Sequence, residues 1–308
     1  MKNYKIWLGL LVIVLVLSAC NSKEKDSYSF EEVDNPKIEH IHGLGYINGK
    51  SDFVIATHRG LYKYGVKGWE EANSQKHDYM GFQAVKDGFY SSGHPEEGSN
   101  LKNPLGVIKS TDEGANLEQL AFYGEIDFHY LAAGYDSNTI YVINETPTEN
   151  MSGGLHYSID EGKSWTESAM NGFNSEFVSN LSAHPSKKEI VAIGSKDGIF
   201  VSNDYGVNFK LLKSTQMVTY VTLNENGGYY TNYDSNSVSL RSFSLDSKEE
   251  KNIQLPNEIM QDPIIYIASN PTNREEITFV TNNLNFYLSK NEGESWDKLA
   301  SEGELKIK

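Results

Sequence analysis

The sequence predicts an all-β chain folded as a six-bladed β-propeller, and three observations lead there. Strand formers dominate: 19 Tyr and 13 Phe sit in short β-branched or aromatic runs broken by Gly and Asn turns, without a long helical period. One motif recurs: "STDEGANLEQL" from Ser110, "SIDEGKSWTES" from Ser158, "SNDYGVNFKLL" from Ser202 and "SKNEGESWDKL" from Ser289. The spacings are 48, 44 and 87 residues, the last being two periods, with a degenerate copy at Ser244-Leu-Asp246 in the gap. A period of this size in an all-strand chain marks four-stranded blades. It divides the chain into blades at about 38–79, 80–123, 124–170, 171–214, 215–256 and 257–300, six rather than seven.

The chain before the blades is of another kind. Lys2 and Lys5 precede an aliphatic run from Ile6 to Leu17, which ends in Leu17-Ser18-Ala19-Cys20. This matches a lipoprotein signal peptide over residues 1–19, cleaved before a Cys20 that carries the lipid. The apolar run is too short for a typical span. Cys20 is the only cysteine, so no disulfide can form within the chain. Residues 20–37 are polar and charged and are expected to be a flexible tether, leaving 38–308 for the propeller. The expected location is the cell membrane, lipid-anchored on the extracytoplasmic face. A net charge of −15 repels nucleic acid and anionic lipid, which excludes both as partners of the folded domain. The membrane is reached through Cys20.

Each recurring motif has the form Ser-x-(Asp/Asn)-x-Gly-x-(Ser/Asn)-(Trp/Phe/Leu). Asp112, Asp160, Asp204 and Asn291 are expected to be structural, their side-chain oxygens capping backbone N–H groups in a turn between a blade's third and fourth strands. The motif resembles the Asp-box, or BNR repeat, of sialidases, sortilin-type receptors and photosystem assembly factors. That resemblance implies turns at the rim, on the face away from a ligand. A narrower resemblance rests on "HIHGLGY", "THRGLY", "MGF", "SGHPEEGSNLKNPLG", "KSTDEG", "DFHYL" and "GLHYSIDEGKSW". Together they are similar to a family of secreted Asp-box propellers of Gram-positive bacteria commonly labelled glycosylhydrolase or exo-α-sialidase.

Eight histidines are present, five of them before residue 95. Ungapped matching of the blades aligns His42, His129 and Asn180 near the start of the innermost strand. It aligns His58, Glu145 and Lys196 at the end of the second, with His94 at that same end in blade 2. In an antiparallel blade these two positions share one face of the disc, opposite the motif turns. His40, His42, His58, His94 and His129 are therefore expected around the channel mouth from three adjacent blades. His184 falls in a turn on the other face and reads as structural, while His77 and His156 receive no role.

Clustered neutral imidazoles suit a transition metal such as Zn or Cu. Asp127 and Glu145 stand by as further ligands or orienting partners, and Met80 as a soft ligand for copper. A hydrogen-bonded polar mouth without metal is the alternative for the same residues. Arg59, Asp127 and Glu145 are the candidate contacts to a small ligand, and the long loop Gly93–Gly106 is a candidate wall or lid. A binding or assembly module with a protein partner fits the same motifs. So does a glycoside hydrolase using Asp127 with Glu145 or Glu125. The sialidase resemblance requires an arginine triad, yet Arg59, Arg241 and Arg274, the only arginines, are not expected on one face.

Overall fold

The computed structural model describes residues 27–34, 37–234, 237–259 and 261–307. It is an all-β, six-bladed propeller, each blade an antiparallel sheet whose four main strands follow one another in sequence. The innermost strands are Ile41–Tyr46, Asp78–Val85, Tyr130–Ala133, Val178–Ala183, Val218–Asn224 and Ile264–Ser269, one per predicted blade. The sole helix among the described residues is a 3-10 turn at Asn257–Ile259.

The core is not at the axis. Apolar residues fill six separate wedges, each between two neighbouring blades. One wedge buries Tyr79, Phe82 and Phe89 of blade 2 against Val54, Ala56 and Leu61 of blade 1. The ring closes by the same means: Tyr46, Phe53 and Trp69 of blade 1 pack on Val280, Phe286 and Leu299 of blade 6. Trp69 Nε1–H donates to Leu299 O at 3.3 Å, and Ile38 N–H donates to Gly303 O at 3.0 Å. Each large side chain so buried contributes about 1.5–3 kcal/mol, so a blade is stable only beside its neighbours.

The four motif turns are near copies of one another. Ser110, Ser158, Ser202 and Ser289 each accept, through Oγ, the N–H of the glycine four residues on, at 2.8 Å. Oδ1 of Asp112, Asp160, Asp204 and Asn291 accepts the N–H four residues further on, at 2.9–3.0 Å. Burial would raise the Asp112 carboxyl, but the side-chain bond from Asn116 and these backbone bonds hold it below its ordinary pKa; the Ser164 Oγ–H bond, with the backbone and Ser158 bonds, brings Asp160 to about 2. The residue before each glycine takes the left-handed conformation, φ 54° to 61° at Glu113, Glu161, Tyr205 and Glu292. The motif aromatic then packs on the preceding blade: Trp165 lies 5.7 Å from Phe122, centroid to centroid.

Two sequence expectations need correction. Phe30–Glu32, inside the expected tether 20–37, pairs antiparallel with Glu70–Ala72 as a fifth, outer strand of blade 1. Its charged residues hid an alternation that turns Tyr28 and Phe30 inward onto the wedge between blades 1 and 2; Tyr28 O–H also donates to Glu113 O at 2.6 Å. Cys20 and the leader lie outside the described residues.

The second correction concerns register. Ile41 pairs with Thr57 and Gly43 with Ala56, so His42 is an extra, unpaired residue. In blade 4 Val178 pairs with Ser195 and Asn180 with Gly194, so the extra residue is Ser179. His42 thus corresponds to Ser179, not Asn180. Asn180 instead braces blade 4 to blade 5, accepting Val221 N–H at 2.9 Å and donating to Val221 O at 2.8 Å. Bulges at the same register position recur at Thr219 and Ile265.

Candidate functional site

The site grows from the bulge. A residue inserted into one strand has no cross-strand partner, and its side chain can be re-aimed. At His42 that turns an imidazole toward His40, just before the strand, and His58, one residue past the end of the second strand at Thr57. Ring centroids are 4.8 Å apart for His40–His42, 4.6 Å for His40–His58 and 4.4 Å for His42–His58. One ligand nitrogen from each lies within 4.8 Å of the others.

A carboxylate that sequence reasoning passed over completes this group. Asp78 begins the inner strand of blade 2, at the junction where the predicted boundary fell. His58 Nδ1–H donates to Asp78 Oδ2 at 2.9 Å, which fixes the tautomer and leaves the Nε2 lone pair of His58 to bind. His42 Nε2 stands 3.2 Å from Asp78 Oδ1, so both imidazoles face the one carboxylate.

The titration directions follow from the crowding. Burial lowers the His40 pKa, and the neighbouring His42 and His58 lower it further against the opposing charge of Asp78. Burial alone would raise the Asp78 pKa, but its contacts with His42 and His58 win and bring it below the ordinary carboxylate value. A neutral imidazole beside an ionised carboxylate is the state in which such a group accepts a cation.

The five histidines expected around one point divide into two sets. His94 and His129 gather about Asp127 instead: Asp127 Oδ2 lies 3.4 Å from His94 Nε2 and 3.6 Å from His129 Nε2. Glu145 Oε2 is 3.7 Å from His129 Nδ1. The sets meet in blade 2, where Asp78 and His94 are cross-strand partners. Met80 stands on the same strand pair, opposite Ser92. Among the described residues only His40, His42 and His58 form a group of three with all ligand atoms mutually within 4.8 Å.

The loop after His94 is a strapped wall rather than a free lid. Glu96 N–H donates to His77 Nδ1 at 2.9 Å, and Lys76 N–H to Glu96 Oε2 at 2.8 Å. Leu105 N–H donates to Gly93 O at 2.7 Å, and Lys102 N–H to Tyr123 Oη at 2.6 Å. These bonds place Asn103, which precedes a cis proline, so that its Oδ1 accepts from His94 Nδ1–H at 2.6 Å. His77 is thereby a loop anchor, and burial lowers its pKa. His184 caps a turn on the opposite face, accepting Ser186 and Lys187 N–H at 3.2 and 3.1 Å. His156 bonds Gly154 O and Ser152 Oγ, both at 3.1 Å.

The other candidates are less converged. Arg59 is exposed and 3.9 Å from Glu39. Arg241 lies in the third strand of blade 5, 3.5 Å from Glu250. Arg274 sits between the first two strands of blade 6, on the face opposite the histidines. No arginine triad can form from these positions. Glu125 is occupied too, accepting Thr148 Oγ1–H at 2.7 Å and Asn150 Nδ2–H at 2.9–3.0 Å. These bonds lower its pKa, the wrong direction for a proton donor.

No family profile and no curated protein sequence matches the chain. Solved structures do. A GH74 xyloglucanase from Xanthomonas campestris superposes with TM-score 0.54 at 14% identity, over 88% of this chain and 47% of that one; this chain spans about half its length. YCF48 bound to D1 peptide gives 0.50 at 13%, over 89% and 85%. TolB from Acinetobacter baumannii gives 0.56 at 9%, over 83% and 61%. At such identities the likeness is one of fold, and these propellers differ in what they do. The class is the β-propeller; the chemistry must come from this chain's own residues.

Proposed function

We propose that the protein is a cell-surface propeller, held through Cys20, that binds a divalent transition metal at His40, His42 and His58 with Asp78 as their orienting carboxylate. One observation carries the reading: three imidazoles converge, one ligand nitrogen from each within 4.8 Å of the others, around the carboxylate of Asp78. A nitrogen-rich set of this kind suits Zn²⁺ or Cu²⁺ over the hard cations. His40 is exposed at the mouth and can rotate the short distance that closes the three ligands on one ion, while the bond to Asp78 holds His58 in place.

The alternative is a glycoside hydrolase, favoured by the glycosidase among the structural neighbours and by the resemblance of the motif turns to Asp-boxes. It has less support here, since Glu125 is engaged in its own turn and the arginines are scattered. The deciding experiment is metal analysis of the native full chain beside His58→Ala and His40→Ala variants. Bound zinc or copper is expected in the parent, with one equivalent fewer in both variants. Equal metal content in all three would overturn it. Turnover of a chromogenic glycoside by the metal-free protein would favour the hydrolase.

A further inference from the structure

We infer that blades 2 and 3 form a second, separate cation site from Asp127, His94 and His129, distinct in ligand chemistry from the three-histidine group of blade 1. This site shares no ligand with the first. Donors bound about 2.0–2.1 Å from one tetrahedral ion stand about 3.3–3.5 Å apart along the tetrahedron's edges. Asp127 Oδ2 is 3.4 Å from His94 Nε2 and 3.6 Å from His129 Nε2. Both separations exceed the usual N–H···O hydrogen-bond range; the first falls within that edge length and the second just beyond it, so the two imidazoles must draw closer together to share one ion.

The tautomer points the same way. Asn103 Oδ1 can only accept, so His94 donates from Nδ1 at 2.6 Å. In a neutral ring that turns the Nε2 lone pair onto a carboxylate oxygen. Two lone pairs facing each other repel, and either a proton or a metal ion between them relieves the repulsion.

Every ligand also has an outer partner, as metal sites require. His94 is held by Asn103, from the strapped loop. Asp127 Oδ1, the carboxylate oxygen turned away, accepts from Ser92 Oγ–H at 3.3 Å. Ser92 Oγ in turn accepts Phe128 N–H at 2.9 Å, which fixes the backbone between Asp127 and His129. Glu145 Oε2 lies 3.7 Å from His129 Nδ1, within reach of orienting that ring. Two imidazoles and one carboxylate leave a tetrahedral Zn²⁺ one open position, which faces the mouth and can take water or the oxygen of an anionic ligand. Asp78 and His94 are cross-strand neighbours, with Cβ atoms about 4.5–5.5 Å apart, so the two centres are adjacent.

The test is titration of the purified full chain with ZnCl₂ alone, read by calorimetry and by metal analysis after dialysis. Two equivalents are expected in the parent, one in Asp127→Asn, one in His129→Ala, one in His58→Ala and none in the Asp127→Asn/His58→Ala double variant. His129 is exposed, so His129→Ala keeps the fold, and unchanged thermal midpoints verify this for each variant. Two equivalents persisting in both Asp127→Asn and His129→Ala would overturn the second site. So would a single parental equivalent that only His58→Ala removes, in which case Asp127 and the two histidines are a plain ion-pair network. A single equivalent removed by Asp127→Asn but kept by His58→Ala would support this site and overturn the blade 1 reading.

Discussion

Blades 1–3 and blades 4–6 are built alike and finished differently at the mouth. The bulged position of the inner strand is His42 in blade 1 but Ser179, Thr219 and Ile265 in blades 4, 5 and 6. The residue just past the second strand is His58 in blade 1 and Lys196 in blade 4, where Lys196 Nζ pairs with Glu176 at 2.7 Å. Around the axis of blades 5 and 6, Tyr220 and Tyr266 contact ring to ring at 5.4 Å, and Tyr266 O–H reaches Ile41 O at 3.5 Å. The backbone tolerates serine, threonine, isoleucine or histidine at the bulge, so folding does not demand the imidazoles. What sets the first half apart is the chemistry of its mouth, which is the basis of the proposed metal site.

Several changes can break or sharpen that contrast. The largest expected effect is on metal affinity. Replacing His42 by serine, the residue blade 4 carries at the same position, should weaken zinc binding by more than about a hundredfold, as befits a ligand rather than an outer partner. Competition with a chromogenic chelator measures this, and an unchanged affinity would remove His42 from the ligand set. Asp78→Asn should follow, weakening binding by about 10–100-fold through the orientation of His58. Its thermal midpoint at neutral pH should fall modestly, because the carboxylate accepts from His58 and its contacts with His42 and His58 lower its pKa in the folded chain, a favourable contribution to folding.

The motif turns, common to both halves, set the next scale. Ser202→Ala removes the acceptor of Gly206 N–H and the donor to Asp204 and should cost about 1 kcal/mol in urea denaturation, with metal binding intact. A pH series comes next. Burial lowers the pKa of both His77 and His184 from 6.5, so the unfolded chain takes up these protons first. Stability from these two groups is complete above 6.5 and falls as pH drops below it toward their lowered folded values. A thermal midpoint that rose on acidification through that window would contradict their burial as neutral rings. The smallest effect belongs to Lys196→Ala: its ion pair with Glu176 is exposed, so neither the thermal midpoint nor metal content should change measurably.

What could be read from the chain before folding divides along physical lines. The six blades were legible because the turn motif depends on local residue types, Ser, Asp and Gly, repeated at a fixed period. The clustering of His40, His42 and His58 was legible because antiparallel pairing brings a strand's start beside the next strand's end. The one-residue error at Asn180 was not avoidable from ungapped alignment, since a bulge adds a residue without a composition mark. Asp78 stayed hidden because its role depends on two imidazoles from the neighbouring blade, a contact no local pattern encodes. The outer strand Phe30–Glu32 was masked by its acidic flanks, although Tyr28 and Phe30 alternate as a strand face would.

The most direct test of the central claim is an anomalous difference map, at the zinc edge, from crystals grown with equimolar Zn²⁺. The account predicts a peak bounded by ring nitrogens of His40, His42 and His58, with Asp78 behind His58 in its outer shell. A map with no peak there, or with zinc only on exposed surface carboxylates, would contradict it.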